Sequence, residues 1–166
     1  MKNKENGVKD FLYDIQKEKL KKEKDKFIKD VEDNRRNILN LKILVGVDIS
    51  GSITPEQFKI FMQQLDLIRG LSVVKVIEID TKITAMYDYY IGQNAKICRL
   101  QGGGGTEFHD AFEEAKKIKP DAILFMTDGD VFDSVKDPKI PTGWILTHDG
   151  VHPYGFGKVI TKLPSE

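Results

Sequence analysis

The rhythm of apolar and polar positions changes near residue 40. Before it, Val8, Phe11, Leu12 and Ile15 stand at i, i+3, i+4 and i+7, and Phe27, Ile28 and Val31 resume the stripe beyond Leu20. That spacing predicts one long helix or two shorter ones with an apolar face. After it, short β-branched runs alternate with helical stretches. Leu41 to Val47 is apolar at nearly every position, as expected for a central strand buried on both faces of a parallel sheet. Thr54-Pro55-Glu56-Gln57 supplies an N-cap, a proline at the first helical position and a capping-box glutamine. Phe58, Phe61, Met62, Leu65 and Ile68 then form the buried stripe of a helix that Gly70 ends. Val73 to Ile79 reads as a second strand. The alternation from Lys82 to Tyr90, across the short Asp80-Thr81 turn, predicts its antiparallel hairpin partner. Gly102 to Gly105 precede Thr106 and a helix marked by Phe108, Phe112, Ala115 and Ile118, which ends before Pro120. Ala122 to Met126, Gly143 to Thr147 and Lys158 to Lys162 supply the remaining strands.

Strands alternating with helices predict an α/β fold, a Rossmann-like, doubly wound and mostly parallel sheet with one antiparallel hairpin strand. A charged N-terminal helical arm over 1–40 precedes the sheet domain at 41–166. Composition supports that boundary: residues 1–40 hold 12 basic and 9 acidic side chains with a single glycine and no proline. The basic run from Lys17 to Lys29 has Glu18, Glu23 and Asp25 interleaved at helix-neighbour distances, so it reads as a solvated helix face rather than a phosphate-binding arm. The apolar ends of the arm are suited to docking on the following domain or on another protein.

Lysine plus arginine equal aspartate plus glutamate at 26 each, so no overall field draws the chain to nucleic acid or to an anionic membrane. The opening Met-Lys-Asn-Lys-Glu-Asn lacks the apolar core of a signal peptide, and the longest apolar runs are too short to span a bilayer. The expectation is a soluble cytoplasmic protein. Cys98 is the only cysteine, which excludes an internal disulfide and a thiolate cluster within one chain, and its setting reads as an apolar filler rather than a nucleophile.

Three polar segments fall where ligands sit in open α/β sheets, beyond the carboxyl ends of the strands. Asp48-Ile49-Ser50-Gly51-Ser52 leaves the first strand, Gly105-Thr106 enters a helix, and Thr127-Asp128-Gly129-Asp130 leaves a later buried strand. Their hydroxyls and carboxylates are hard oxygen donors, suited to Mg²⁺ or Mn²⁺ rather than to zinc or copper. The Asp-x-Ser-x-Ser spacing sends alternate side chains the same way, and a shell rich in neutral hydroxyls leaves an ion with appetite for one more anionic oxygen.

Asp48-x-Ser50-x-Ser52, the distant Gly-Gly-Gly-Thr106 and the strand ending Thr127-Asp128-Gly129 resemble the metal-ion-dependent adhesion site (MIDAS) of von Willebrand A (VWA) domains. The stretch from Ile43 to Ile160, including Pro141-Thr-Gly-Trp-Ile-Leu-Thr147 and Pro153-Tyr-Gly-Phe-Gly-Lys-Val-Ile160, is similar to the VWA-like family often found C-terminal to a predicted metallopeptidase domain in bacterial proteins. The resemblance implies that Ser50, Ser52 and Thr106 touch the ion, while Asp48 and Asp128 reach it directly or through water; Asp130 is a less secure further acid. The absence of a credible nucleophile–base pair beside an open hard-metal site points to a non-enzymatic module that grips a glutamate or aspartate of a partner protein, and the resemblance adds a MoxR-type AAA+ ATPase as a candidate by analogy. No His-Glu-x-x-His occurs, so a protease activity is not implied.

Other readings stand beside this one. Thr106 also suits a helix N-cap and the glycines a turn, and both roles can hold together with the metal reading. The glycine run lacks the Gly-Lys-Ser/Thr of a phosphate cradle. A Mg²⁺-dependent phosphohydrolase with Asp48 as nucleophile is the enzymatic alternative, although Ser50 occupies the place of its usual acid/base partner. A structural subunit with a vestigial metal site is the third reading. His148 and His152 around Asp149 hint weakly at a second metal, and Trp144 reads as core.

Overall fold

The computed structural model describes residues 2–22, 41–70, 72–90 and 104–165. Phe27, Ile28, Val31, Cys98, Gly102 and Gly103 lie outside the described residues, as does most of the Lys17 to Lys29 run. In chain order the elements are α1 (Lys2–Lys22), β1 (Lys42–Asp48), α2 (Pro55–Arg69), β2 (Val73–Ile79), β3 (Ile83–Tyr89), α3 (His109–Ile118), β4 (Ala122–Thr127), β5 (Thr142–Leu146) and β6 (Lys158–Lys162). The strands form one sheet in the order β3-β2-β1-β4-β5-β6. Every pairing is parallel except that of β2 with β3.

Pleat alternation sends the side chains of each inner strand to two different layers. On one face Ile43, Val45 and Val47 of β1 meet Leu124 and Met126 of β4 beneath Phe61, Leu65 and Ile68 of α2. Val8, Phe11, Leu12 and Ile15 of α1 join that same cluster, so α1 packs into the core on the α2 side of the sheet. Lys19 fastens the far end of α1 through an ion pair with Asp121 at 3.1 Å, and the Asp121 carboxylate also accepts the Lys42 N–H. On the other face Leu44, Ile77, Ile123, Phe125 and Trp144 pack against Phe112 and Ala115 of α3. Each fully buried side chain of this size contributes roughly 1.5–3 kcal/mol.

Gly46 lies in the middle of β1, where a glycine is costly unless the space is needed. A Cβ there would stand 2.3 Å from the Phe125 ring. Its absence lets Phe125 approach the strand and stack on Trp144 at a centroid distance of 5.0 Å.

The local signals are realised in their own positions. Thr54 accepts the Gln57 N–H while Gln57 accepts the Thr54 N–H, which closes the capping box at the start of α2. α3 ends with Lys119 in the left-handed region at φ 53°, its N–H bonded to the Ala115 carbonyl. A left-handed residue with a Cβ is strained relative to glycine. Lys119→Gly therefore stabilises the fold by about 0.5–1 kcal/mol after allowing for the freer unfolded chain, read as a higher urea midpoint with an unchanged m-value.

Candidate metal centre

Parallel register brings the separated polar segments to one edge. Asp48 ends β1 opposite Ile79 of β2, and Val47 lies opposite Met126 of β4, so the chain leaves these three strands at nearly one level. Asp48 then turns the chain by accepting the Ser50 N–H on Oδ1 at 2.9 Å, an Asx-type bond that suits aspartate at such a bend. The segment bearing Thr106 is laced between its neighbours: Glu107 N–H bonds to the Asp80 carbonyl, Phe132 N–H bonds to the Thr106 carbonyl, and Thr106 forms a parallel bridge with Val131.

Asp48 is fully buried, at 0% exposure. Its carboxylate receives the Thr127 hydroxyl at 2.6 Å on Oδ2, and the Thr106 hydroxyl lies 3.2 and 3.3 Å from its two oxygens. Thr127 is itself held by the Gly129 N–H, which donates to Oγ1 at 2.9 Å. Burial pushes the Asp48 carboxyl above its ordinary range; hydrogen bonds from Ser50 and Thr127 pull it back, and the nearby Asp128 charge acts in the same direction as burial. Every hydrogen-bond donor to Asp48 among the described residues is neutral. Such a carboxylate is costly in its charged form until a cation approaches.

In front of Asp48 opens a cleft of about 310 Å³, lined by Ser50, Gly51, Ser52, Gly104, Gly105, Thr106, Asp130 and Phe132. The Ser50 and Ser52 hydroxyl oxygens are 3.1 Å apart. Adjacent oxygens of an octahedral Mg²⁺ with bonds near 2.0–2.1 Å lie about 2.9 Å apart, so this spacing fits two neighbouring ligands of a small hard cation. Thr106 gives its proton to Asp48, which leaves its oxygen lone pairs for an ion. Among the described residues no group of three His, Cys, Asp or Glu could hold a metal. An ion at this edge would depend on the hydroxyls.

Of the residues singled out from sequence, Ser50, Ser52 and Thr106 thus share the cleft with Asp48 directly behind them. Asp128 is half-buried and outside the lining, close enough for its charge to act on Asp48, with its Oδ1 accepting the Asp130 N–H at 3.0 Å. Asp130, the possible further acid of the sequence pattern, lines the cleft. Thr106 does not cap α3: the cap position is Phe108, which offers no side-chain bond, and the Thr106 hydroxyl is turned to Asp48. His148, Asp149 and His152 form no second metal group; Asp149 accepts from Thr147, and His152 packs edge-on against Trp144.

Residues 43–162 match the family described as VWA-like domain (DUF2201). The chain belongs to that VWA-like family. No curated protein matches it. Membership supports protein interaction as the coarse function of this VWA-like domain. Among the described residues no helix is long and apolar enough to cross a membrane.

Two contributors to the VWA-like site escaped the sequence reading. In sequence Thr127 stands only as part of a motif, yet its hydroxyl makes the shortest hydrogen bond to Asp48. Asp133, in the loop after β4, accepts the Phe108 and His109 N–H groups at 2.9 and 2.8 Å and the Tyr154 hydroxyl. It caps α3 from 25 residues away and so fixes the helix start just beyond Thr106. Burial and the Asp133 contact together push the Tyr154 phenol up, which keeps it a donor. Asp133→Ala destabilises the VWA-like domain by about 1–2 kcal/mol, measured as a lower urea midpoint. Gly129, at φ 80°, has no room for a Cβ, which would overlap the Val151 carbonyl. Gly129→Ala costs about 2–3 kcal/mol from the disfavoured backbone and the overlap together, checked in the same titration.

Proposed function

We propose that this VWA-like domain is a non-enzymatic, divalent-metal-dependent protein-binding module with a MIDAS-type site. Ser50, Ser52 and Thr106 would hold Mg²⁺ or Mn²⁺ directly. Asp48 and Asp128 would supply the negative charge behind them. When bound, the ion offers a Lewis-acidic position to a carboxylate from a partner protein, and the module grips that Glu or Asp. The observation that carries this reading is the gathering of three hydroxyls from two distant segments in one open cleft, backed by a buried carboxylate with only neutral donors.

The rest of the rim agrees with protein binding. Among the described residues the two most exposed large apolar side chains are Phe132 at 71% and Val151 at 58%. Phe132 lines the cleft, and the Val151 N–H is bonded to the Asp128 carbonyl. Exposed apolar groups beside a polar centre suit an interface. By family analogy a MoxR-type AAA+ ATPase is the partner we would test first. The phosphohydrolase alternative is less favoured, because a nucleophile must reach its substrate and Asp48 is buried with both oxygens facing threonine hydroxyls.

Calorimetric titration with Mg²⁺ tests the metal directly. Wild type is expected to bind one ion, and Mg²⁺ at a hundred times its dissociation constant stabilises the fold by about 2.7 kcal/mol, or roughly 5–10 °C in melting temperature. Ser52→Ala, at an exposed position, weakens binding at least tenfold, and Ser50→Ala/Ser52→Ala abolishes it. A wild-type protein that takes up no divalent ion, or serine variants that bind it as well as wild type, would overturn the proposal. Affinity capture with wild type and Ser50→Ala/Ser52→Ala, each with Mg²⁺ or EDTA, then reads partner dependence.

A further inference from the structure

We infer that the partner segment recognised at this cleft carries a basic side chain, arginine or lysine, within two residues of its carboxylate, and that Phe132 and Asp130 receive it. The inference rests on the metal-dependent reading above and adds the chemistry of the partner.

Phe132 is the most exposed large apolar side chain among the described residues, yet its place is fixed. Its N–H bonds to the Thr106 carbonyl at 3.0 Å, next to the Thr106–Val131 bridge, so its backbone is tied to a residue of the hydroxyl cleft. Its ring lies over Gly105, where a Cβ would come within 2.2 Å of it. A bare glycine thus seats an aromatic ring at the cleft wall with most of its surface open to solvent. A pre-positioned, exposed aromatic beside a polar centre has the character of an interface anchor.

Charge decides what rests on it. Asp130 lines the cleft, Asp48 is buried behind it and half-buried Asp128 lies near enough to act on Asp48, and among the described residues neither Asp128 nor Asp130 belongs to an ion pair. A divalent cation offsets two of these three negative charges, and an incoming carboxylate adds another. A purely acidic partner would therefore dock against residual negative charge, which like-charge repulsion disfavours. A neighbouring cation removes that penalty. Exposed Asp130 and the open ring both line the cleft, and together they offer such a group an ion pair and a cation–π contact. An aliphatic neighbour would gain contact with the ring and leave the carboxylates uncompensated.

A peptide library displaying one fixed Asp or Glu among randomised flanking positions, panned on the intact chain in Mg²⁺ and again in EDTA, tests this. The expected result is Mg²⁺-dependent enrichment of Arg or Lys within two positions of the acid. Synthetic peptides with arginine or with serine at the enriched position then give an affinity ratio by fluorescence anisotropy, expected to be fivefold or more on wild type. On Phe132→Leu and on Asp130→Asn the ratio falls toward one. Because the ratio is taken on each protein separately, a change in ion affinity common to both peptides cancels. Acid-dependent binders with aliphatic or featureless flanks, or a ratio that both variants retain, would overturn this inference and leave the metal-dependent reading intact. Loss of any requirement for the acid or for Mg²⁺ would remove both.

Discussion

A buried carboxylate surrounded by neutral donors is the constraint on which the edge bearing the hydroxyl cleft depends. Asp48 collects a backbone N–H from its own turn, a hydroxyl from the segment before α3 and a hydroxyl from the end of β4. The three segments are separated by tens of residues, and this one side chain ties them to a common point. The energetics are unbalanced by construction. Hydrogen bonds from neutral groups offset part of the desolvation cost, while the neighbouring Asp128 adds to it. The side chain that organises these loops is thus left without a cationic partner among the described residues.

The sheet supplies the geometry that makes this possible. Parallel pairing of β2, β1 and β4 sends consecutive chain exits to one edge, and the level register of Asp48 with Ile79 keeps them within reach of each other. The two helical layers serve different ends. α1 and α2 close the face built on Val45 and Val47, whereas α3 closes the face built on Phe125 and starts beside the cleft.

Much of this was legible in the sequence because local chemistry and burial agree there. The continuous apolar runs of β1 and β4, the capping box of α2 and the short turn joining β2 to β3 each carry a signal within a few residues. The convergence of Asp48, Ser50, Ser52 and Thr106 was legible through the strand order and the resemblance. What sequence spacing could not show was partnership at long range. Thr127 reads as the last residue of a strand until its hydroxyl is seen on Asp48, and Asp133 reads as a loop acid until it is seen capping a helix that starts 24 residues earlier. At Thr106 the sequence leaves a cap role open, since a threonine just ahead of a helix suits it, and only tertiary contact shows the hydroxyl turned to a buried acid instead.

The aromatic layer behind α3 carries a spectroscopic consequence. Trp144 is the only tryptophan, stacked on Phe125 and flanked by Phe108 and Tyr154, and Tyr154 is tethered through Asp133 to the first amides of α3. Its indole is fully buried, with its N–H on the Phe156 carbonyl. Phe108, two residues beyond Thr106, packs against this ring at a centroid distance of 6.1 Å. The chain thus carries one buried fluorophore set in the packing between α3 and the sheet, with no second indole to overlap its signal.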